Sequence, residues 1–341
     1  MPTVPGKRVT LQDVARATGY TANTVSRALK NKPDISAETC RKIQETARKM
    51  GYVRNEMAGS LRSGQTKTLG VIVGGMSNPY YGRMTDDIQD AATEEGYSLL
   101  IFCSRDDPAQ EYKLIETAIS RQVDGILLFP CRGSQPSIDR LKAVGIPYVL
   151  MARYLKKGQD DCIICDEEKG AYLATKHLLE ASRRPAFLNS YDVVFSSEQR
   201  RAGFLRACHE AGLSPEQCPV AVCPDDESIC RQLTEWKAQG VNGLFVFCDM
   251  EAWNARLLMK NLGWKVPGDF ALVGFDNIQG TWHLPSPLCS VDYNTRDMVK
   301  SGMDLLMKRI HGDHSDPQTI LFEPRLVCRG SCGRLSQEEH F

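Results

Sequence analysis

The sequence predicts an α/β protein in which a small all-helical domain precedes a larger core of two parallel-sheet subdomains. Its 341 residues are too many for one ordinary domain and suit a small module joined to a large one. Helical periodicity ends near Gly51, whereas apolar runs that alternate with amphipathic helices begin after Thr66. We therefore expect a helical domain at residues 1–54, a hinge helix and linker at 55–67, and the core at 68–341.

Three short helices are predicted in the N-terminal domain. Thr10, Thr21 and Ser36 can each accept a backbone N–H at a helix start, and Asp13 completes an approximate capping box with the first of them. Gly19 suits the turn between the first two helices. The apolar side chains expected to point inward are Leu11, Val14, Ala15, Val25, Ala28, Leu29, Cys40, Ile43, Ala47 and Met50.

Seven apolar runs predict buried parallel strands, because strands covered on both faces are apolar almost throughout. They lie at residues 68–75, 98–104, 124–130, 147–151, 185–190, 243–248 and 270–275. A split near Asp166 gives each half its own sheet, and the chain from Asp297 on supplies a helix and one closing strand near 319–326. The predicted N-subdomain is residues 68–165 and 295–326, and the predicted C-subdomain is 166–294 and 327–341.

Charge is distributed unevenly along a chain whose net charge is zero. Residues 1–67 contain 13 Lys and Arg against 5 Asp and Glu, a net charge of +8, and the remainder therefore carries −8. A compact basic segment joined to an acidic body is typical of nucleic-acid binding.

Composition argues against membrane insertion, disulfides and metal sites. The first ten residues are polar and basic, and no apolar stretch approaches the roughly 18 residues of a membrane span. The 13 cysteines are odd in number and scattered, as expected in a reducing cytoplasm. Neither Cys162 with Cys165 nor Cys328 with Cys332 is followed by a second ligand pair at zinc-like spacing. We therefore expect neither a metal nor a cofactor.

Two N-terminal runs closely resemble the helix-turn-helix of the LacI/GalR (lac-repressor) family, TLQDVARATGYTANTVSRAL at 10–29 and ISAETCRKIQETARKMGYVRN at 35–55. The run NEMAGSLRSGQTKTLGVIV at 55–73 is similar to that family's hinge and first core strand. Weaker core landmarks follow in the family's order: NPYY (78–81), RRAGF (200–204), VPGDFALVGFDN (266–277) and PLCSV (287–291). The resemblance implies a ligand-responsive, sequence-specific transcriptional regulator, a repressor, with a periplasmic-binding-protein-like core.

The second helix of a helix-turn-helix enters the major groove with its N-terminal residues facing the base edges. At that helix Asn23 can pair with adenine, Arg27 with guanine, and Ala22 can touch a thymine methyl. Alternatively, Arg27 pairs only with a phosphate or a carboxylate. The hydroxyl side chains suited to phosphate contacts are Thr10, Thr21, Thr24 and Ser26.

The resemblance also assigns a role to the hinge. Asn55, Ala58 and Leu61 would contact the minor groove when two copies of a short hinge helix meet there, with Leu61 as an apolar wedge. Arg54 stands where the family usually has proline. The alternative is that Leu61 packs against the core.

Ligands of two-domain α/β proteins bind at the carboxyl ends of strands, where this chain has polar and aromatic residues. By resemblance, Arg200 and Asp276 grip the ligand from the second half, with Asn78 and Tyr80 or Tyr81 from the first. The full set of predicted effector contacts is Asn78, Tyr80, Tyr81, Arg200, Asp249, Trp253, Asp276 and Tyr293. Cys248, Trp253 and Tyr293 depart from the family pattern, which suggests a glycoside, nucleoside or aromatic metabolite as well as a simple sugar. Trp253 as a packing residue and Asp276 as a structural cap remain alternatives.

Other functional classes are disfavoured. The chain has no phosphate-binding G-x-x-x-x-G-K-[ST], no H-E-x-x-H and no G-x-S-x-G, so we expect no enzyme. A transport-type binding protein is disfavoured because the sequence shows no signal peptide and begins with a basic helical domain. The expected partners are double-stranded operator DNA, a small-molecule effector and a second copy of the chain in a homodimer, with no membrane. An activator or a corepressor-dependent repressor remains possible.

Overall fold

The structure is a computed structural model that describes residues 9–53, 64–156, 158–189, 195–280 and 287–334. The chain divides into two compact units, residues 1–66 and 67–341. No helix in the described ranges is long and apolar enough to cross a membrane.

The first unit contains three helices, α1 (Leu11–Thr18), α2 (Ala22–Ala28) and α3 (Ala37–Lys49). The predicted helix starts are confirmed, because Thr10, Thr21 and Ser36 each accept the backbone N–H three residues on. Gly19 ends α1 with φ at 77°, a left-handed conformation that glycine adopts without strain. The buried core of this unit is Val14, Val25, Ala28, Cys40, Ile43 and Ala47.

The first sheet of the second unit has six strands, all of them parallel. They are β1 (Thr68–Val73), β2 (Ser98–Cys103), β3 (Gly125–Leu128), β4 (Tyr148–Met151), β5 (Cys162–Cys165) and β11 (Thr319–Phe322), in the order β11-β5-β4-β3-β1-β2. The helices of this half are α4 (Pro79–Glu94), α5 (Pro108–Ser120), α6 (Gln135–Val144) and α11 (Thr295–Ile310).

The second sheet has the same plan except for one antiparallel edge strand, β12. Its strands are β6 (Pro185–Asn189), β7 (Val220–Val222), β8 (Gly243–Val246), β9 (Ala271–Phe275), β10 (Cys289–Asp292) and β12 (Arg325–Val327), in the order β12-β10-β9-β8-β6-β7. Its helices are α7 (Glu167–Glu180), α8 (Phe195–Glu210), α9 (Asp226–Ala238) and α10 (Asp249–Asn261).

The prediction of a single closing strand near 319–326 is wrong about the number of strands. The chain forms two strands there, β11 in the first sheet and β12 in the second, separated by Glu323 and Pro324. Proline has no N–H to donate to a ladder, so it ends β11 and lets the chain change sheets. The second sheet therefore resumes at Arg325 rather than at 327.

Helices α7 and α8 approach each other closely. A Cβ atom added to Gly203 would lie 2.0 Å from the carbonyl oxygen of Glu168, so only glycine permits this contact between the two backbones. The approach brings Glu167, at the start of α7, next to Arg200 on α8.

Candidate functional sites

One face of α2 carries the residues predicted to contact bases. Asn23 and Arg27 are exposed and lie one helical turn apart, so they share a face. Ala22 is half-buried at the start of the helix. Exposed polar side chains on one helix face are what contact with base edges in a groove requires, and the individual base contacts stay predictions.

The hydroxyl groups proposed for phosphate binding are engaged within the unit. Thr10 Oγ1 donates to Asp13 Oδ2 at 2.7 Å, and Thr21 Oγ1 lies 2.9 Å from Thr24 Oγ1. Ser26 is half-buried in α2. Phosphate contacts from these residues stay predictions.

Arg27 forms a two-pronged ion pair with Asp34. Its Nε donates to Asp34 Oδ2 at 2.7 Å, and its Nη2 lies 2.6 Å from Asp34 Oδ1. The hydrogen bond from Arg27 lowers the pKa of Asp34. Because both side chains are about half exposed, the pair contributes little to stability, and the guanidinium can leave it for a base at small cost.

The predicted hinge contacts Asn55, Ala58 and Leu61 lie outside the described residues. Their roles stay predictions.

Arg200 is the centre of a buried polar and aromatic cluster in the second unit. Its Nε donates to Glu167 Oε2 at 2.6 Å, and its Nη2 lies 3.5 Å from Asp276 Oδ1. The guanidinium also lies over the Phe275 ring at 3.6 Å and over the Phe247 ring at 4.5 Å. The residue is only 4% exposed, so a buried charge is compensated by two carboxylates and two ring faces.

Tyrosines from the first half pack against this cluster. Tyr80 and Tyr81 lie in the first turn of α4, and their rings meet edge to face with centroids 5.2 Å apart. The centroid of the Tyr80 ring lies 6.3 Å from that of Tyr293 in the second half. The Tyr293 hydroxyl donates to Asp276 Oδ1 at 3.1 Å. The Tyr80 hydroxyl is buried and makes no hydrogen bond of normal geometry to the described residues. The crevice between the halves is therefore aromatic, with a few convergent polar atoms.

Burial changes the acid–base properties of this cluster. Desolvation raises the pKa of Asp276 to about 6, although the neighbouring Arg200 opposes the shift. Desolvation also raises the pKa values of Tyr80 and Tyr293, so both phenols stay neutral at physiological pH. Of Asp276, Tyr80 and Tyr293, Asp276 is thus the residue whose pKa lies closest to neutral pH.

A cavity of about 290 Å³ adjoins the cluster. Arg153 lines the cavity and connects it to the cluster, because it donates to the Tyr81 hydroxyl at 3.0 Å. Arg153 also donates to Asp106 Oδ1 at 2.5 Å. Across the same cavity, Arg132 of the first half lies 3.3 Å from Glu198 of the second. The lining residues are Pro130, Cys131, Arg132, Gly133, Arg153, Tyr154, Leu155 and Glu198. Our sequence reasoning missed Arg153, although it follows β4 as the predicted contacts follow other strands.

Comparison with known proteins matches both parts of the chain to known families. Residues 10–55 match the model for bacterial regulatory proteins of the lacI family, and residues 175–332 match the periplasmic binding protein-like domain. The chain is 26% identical over 334 residues to the HTH-type transcriptional repressor PurR of Actinobacillus pleuropneumoniae serotype 3 (strain JL03), covering 96% of this chain and 99% of that protein. The chain thus combines a DNA-binding domain of the lacI family with a periplasmic binding protein-like domain.

Other relatives agree with this domain organisation. The HTH-type transcriptional regulator DegA of Bacillus subtilis (strain 168) is 29% identical over 346 residues, covering 96% of this chain and 99% of DegA. A lac repressor dimer bound to operator and the anti-inducer ONPF shares the fold, with a TM-score of 0.81 at 21% identity over 96% of this chain and 99% of that one. A complex of the transcriptional regulator CelR with cellobiose has a TM-score of 0.69 at 25% identity, covering 95% of this chain and 100% of that one. The chain is thus a DNA-binding transcriptional regulator, and the prediction that it is not an enzyme is confirmed by these relatives.

Three predicted effector contacts of the core lie at the edge of the cluster or away from it. Asn78 caps α4, its Oδ1 accepting from Tyr80 N at 3.0 Å. Asp249 is fully buried and accepts from Ile278 N at 2.8 Å and from Ser290 Oγ at 2.7 Å, which anchors the loop after Asp276. Trp253 packs with an apolar cluster that includes Leu188, Leu244 and Val246. Along the strands these residues alternate with Phe187 and Phe245, which belong to the apolar cluster on the opposite face of the sheet. Arg200 lies on that opposite face, over the Phe275 ring, so Trp253 and Arg200 are on different faces. Contact of these three residues with effector stays a prediction.

The expectation of no metal site rested on sequence spacing, and spacing alone misses one group of candidate ligands in the second unit. Cys328 and Cys332 meet Cys289 and His177, with all four ligand atoms within 4.8 Å of one another. Cys162 and Cys165, for which the sequence predicts no metal site either, divide between apolar clusters on opposite faces of the first sheet.

Proposed function

We propose that this lacI-family regulator is a dimeric repressor that binds a pseudo-palindromic operator and senses a small polar metabolite, a sugar or a related glycoside or nucleoside. The observation that carries the proposal is the cluster around Arg200, in which polar atoms converge within aromatic walls between the two halves. Pockets for small polar ligands have this composition.

The chemistry of the cluster suits a hydroxylated ligand. Carboxylates such as Asp276 accept hydrogen bonds from hydroxyl groups, Arg200 donates to them, and tyrosine rings stack on the apolar face of a sugar or base. The buried Tyr80 hydroxyl, which makes no hydrogen bond of normal geometry to the described residues, adds a partner for one more polar ligand atom. Two related structures support a sugar, since one is a complex with cellobiose and the other contains bound ribose.

Contacts between the halves provide the coupling to DNA. Besides the tyrosines, Arg83 Nη1 donates to the Asn277 carbonyl at 3.4 Å, from the first half to the loop after β9. A ligand that binds one degree of closure more tightly shifts the equilibrium toward that closure. In our proposal this shift changes the geometry of the dimer and hence operator affinity.

Edge strands provide the proposed dimer contact. β2 and β7 end their sheets on corresponding sides, and each exposes an apolar side chain, Ile101 at 42% and Val222 at 45%. An exposed apolar edge strand favours pairing with another chain. A dimer would place two α2 helices on a pseudo-palindrome, and the related lac repressor binds its operator as a dimer. The place of action would be the cytoplasm, where the DNA is.

The test is selection of the full-length protein against random duplex DNA at one fixed salt concentration. We expect an enriched pseudo-palindrome, which the variant Arg27→Ala fails to select because its base contact is lost. The selected operator complex is then titrated with ribose, cellobiose and nucleosides, and one of them should change its affinity. No enrichment, with or without a metabolite extract, would contradict the proposal.

A further inference from the structure

Four potential metal ligands converge on the end of the second sheet, at its edge strand β12. Cys289 is the first residue of β10, and Cys328 directly follows β12, its antiparallel neighbour. Cys332 lies four residues further on in a tight turn, and His177 is in the last turn of α7. We propose that these three cysteines and His177 form a Zn²⁺ site that fixes residues 328–334 to the second sheet.

The distances fit tetrahedral coordination. Cys289 Sγ lies 3.8 Å from Cys328 Sγ, which lies 3.6 Å from Cys332 Sγ. With Zn–S bonds of about 2.3 Å, a regular tetrahedron places its sulfur atoms about 3.8 Å apart. His177 Nε2 lies 3.0 Å from Cys332 Sγ, a hydrogen-bond distance that opens by about half an ångström when a metal takes the proton's place. Three thiolates with one imidazole are one of the usual structural zinc sets.

Backbone amides are already directed at the sulfur atoms. Arg329 N–H donates to Cys289 Sγ at 3.2 Å, and Arg334 N–H donates to Cys332 Sγ at 3.3 Å. Such N–H···S bonds stabilise thiolates, which are the form that binds metal, and they hold ligands in place. They are what distinguishes this group from cysteines that merely pack together.

Glycines shape the turn that carries two of the ligands. Gly330 has φ at 90° and Gly333 has φ at 89°, values that other residues rarely adopt. The first reverses the chain between Cys328 and Cys332, and the second directs Arg334 N–H back to the sulfur. Ser331 fastens the turn to the sheet, because its Oγ accepts from Cys289 N at 2.7 Å and donates to the Leu272 carbonyl at 2.6 Å.

Burial favours a closed site of structural type. Cys289 and Cys332 are fully buried, whereas Cys328 and His177 are half-buried and leave a route for the ion to enter. With all four positions taken by protein atoms, no position remains for substrate or water. Thiolate-rich tetrahedral sites select Zn²⁺ over Mg²⁺ or Ca²⁺, which prefer oxygen ligands.

The site connects to the loop that carries Asp276. The Arg329 side chain donates to Asn277 Oδ1 at 2.7 Å and to the Leu288 carbonyl at 3.1 Å. Metal bound at Cys328 and Cys289 therefore holds Arg329 in position from both sides. Zinc binding at these residues requires neither the proposed effector nor the proposed operator.

The test uses the untagged full-length chain purified with a reducing agent. We expect about one zinc per chain by elemental analysis, and Co²⁺ exchanged into the site should give the intense thiolate-to-metal absorption of a tetrahedral centre. Removal of zinc by a chelator should lower the Tm, because ion binding contributes to folding.

Two variants test the ligand assignment. Cys328→Ser changes the most accessible of the three thiols in the proposed site. Cys165→Ser is the control, since Cys165 is a buried cysteine of the first sheet. We expect Cys328→Ser to lose zinc affinity by about tenfold or more, because even changes that only disturb ligand orientation cost about 10–100-fold. The control should keep its zinc. Circular dichroism shows whether each variant is folded, and Co²⁺ absorption of folded Cys328→Ser should lose thiolate intensity.

Three results would overturn the proposal. They are a folded wild-type chain that binds neither zinc nor Co²⁺ under reducing conditions, zinc content that Cys328→Ser leaves unchanged, and a disulfide among Cys289, Cys328 and Cys332 that mass spectrometry finds in the reduced preparation. All 13 cysteines are free thiols in the structure, so the last outcome would also contradict the geometry described above.

Discussion

Arg200 shows how one buried side chain can fix several elements of the second half relative to one another. Its charge is nearly completely buried, and each of the three guanidinium nitrogens has one partner, Glu167, Asp276 or the Phe247 carbonyl. A buried ion pair is a weak source of net stability, but removal of one partner leaves the others buried and uncompensated. The fixed geometry of the guanidinium is therefore its main contribution.

Replacement of Arg200 by Ala should destabilise the protein by about 3–5 kcal/mol, because Glu167 and Asp276 are left as unpaired buried carboxylates. Urea denaturation measures this loss, and any effector found by titration should no longer change DNA affinity. The matched control is Arg231→Ala, which breaks an exposed helical pair with Glu227 and should change stability by less than about 0.5 kcal/mol. Equal effects of both substitutions would contradict the buried-cluster interpretation.

Asp276 should make stability depend on pH. Its pKa is raised in the folded state to about 6, so the folded protein holds this proton more tightly than the unfolded chain does. The stability that the proton contributes is present below the unfolded value of 3.8 and is lost as the pH rises to about 6. Wild type should thus lose stability relative to Asp276→Asn across this interval. Urea unfolding at several pH values measures it, and a constant difference would show that Asp276 does not titrate there.

At the scale of elements, the contact between α7 and α8 determines where Arg200 meets Glu167. The two helices approach until the backbone of one touches Gly203 of the other. Backbone atoms cannot rotate away as side chains can, so the spacing is set by the absence of a Cβ at this position.

Gly203→Ala should destabilise the protein by about 1–3 kcal/mol, since the added carbon must push the helices apart. It should also weaken the response to effector, because Arg200 and Glu167 lie on the two displaced helices. The control is Gly82→Ala in α4, where an added Cβ meets nothing within 4 Å. That substitution should be neutral or stabilise by about 0.5–1 kcal/mol through helix propensity. Thermal unfolding separates the two, and a neutral Gly203→Ala would refute the close approach.

At the scale of the whole molecule, the two edges of the first sheet differ in their predicted role. β2 ends the sheet on the side proposed for the dimer, and β11 ends it on the other side. Each edge exposes one large apolar residue, Ile101 on β2 and Leu321 on β11 at 50%.

Ile101→Lys should convert the dimer to a monomer and weaken operator binding, because a charge at the centre of an interface must be desolvated. Leu321→Lys places the same charge on the opposite edge and should leave both properties unchanged. Light scattering coupled to gel filtration gives the mass of each variant, and gel shift gives its affinity. Dissociation by Leu321→Lys instead would assign the interface to the other edge.

Local pattern and local chemistry made most of the fold predictable from the sequence. The helix starts at Thr10, Thr21 and Ser36 depend on hydrogen bonds within three residues, and the strands depend on contiguous apolar runs. The division of the closing segment into β11 and β12 was missed, although Glu323, Pro324 and Arg325 interrupt its apolar pattern, because two short apolar runs so close together also predict a single strand.

Side-chain partners distant in sequence could not be predicted in the same way. Arg153 meets Asp106 across 47 residues, and His177 meets Cys332 across 155. Nothing in the neighbourhood of either residue indicates its partner, because the contact exists only once the sheets are assembled. The resemblance to a family supplied Arg200 and Asp276, which residue spacing alone would have left unconnected.

The passage of the chain from β11 to β12 has a consequence for the gene. The last strand of the first sheet and the last strand of the second are encoded within a few codons of each other. A stop codon or frameshift just before Thr319 would therefore remove an edge from both sheets at once, while leaving the DNA-reading helices and most of the crevice encoded. Alleles truncated there should behave as complete losses of the regulator rather than as partial ones, because each sheet then lacks one edge strand.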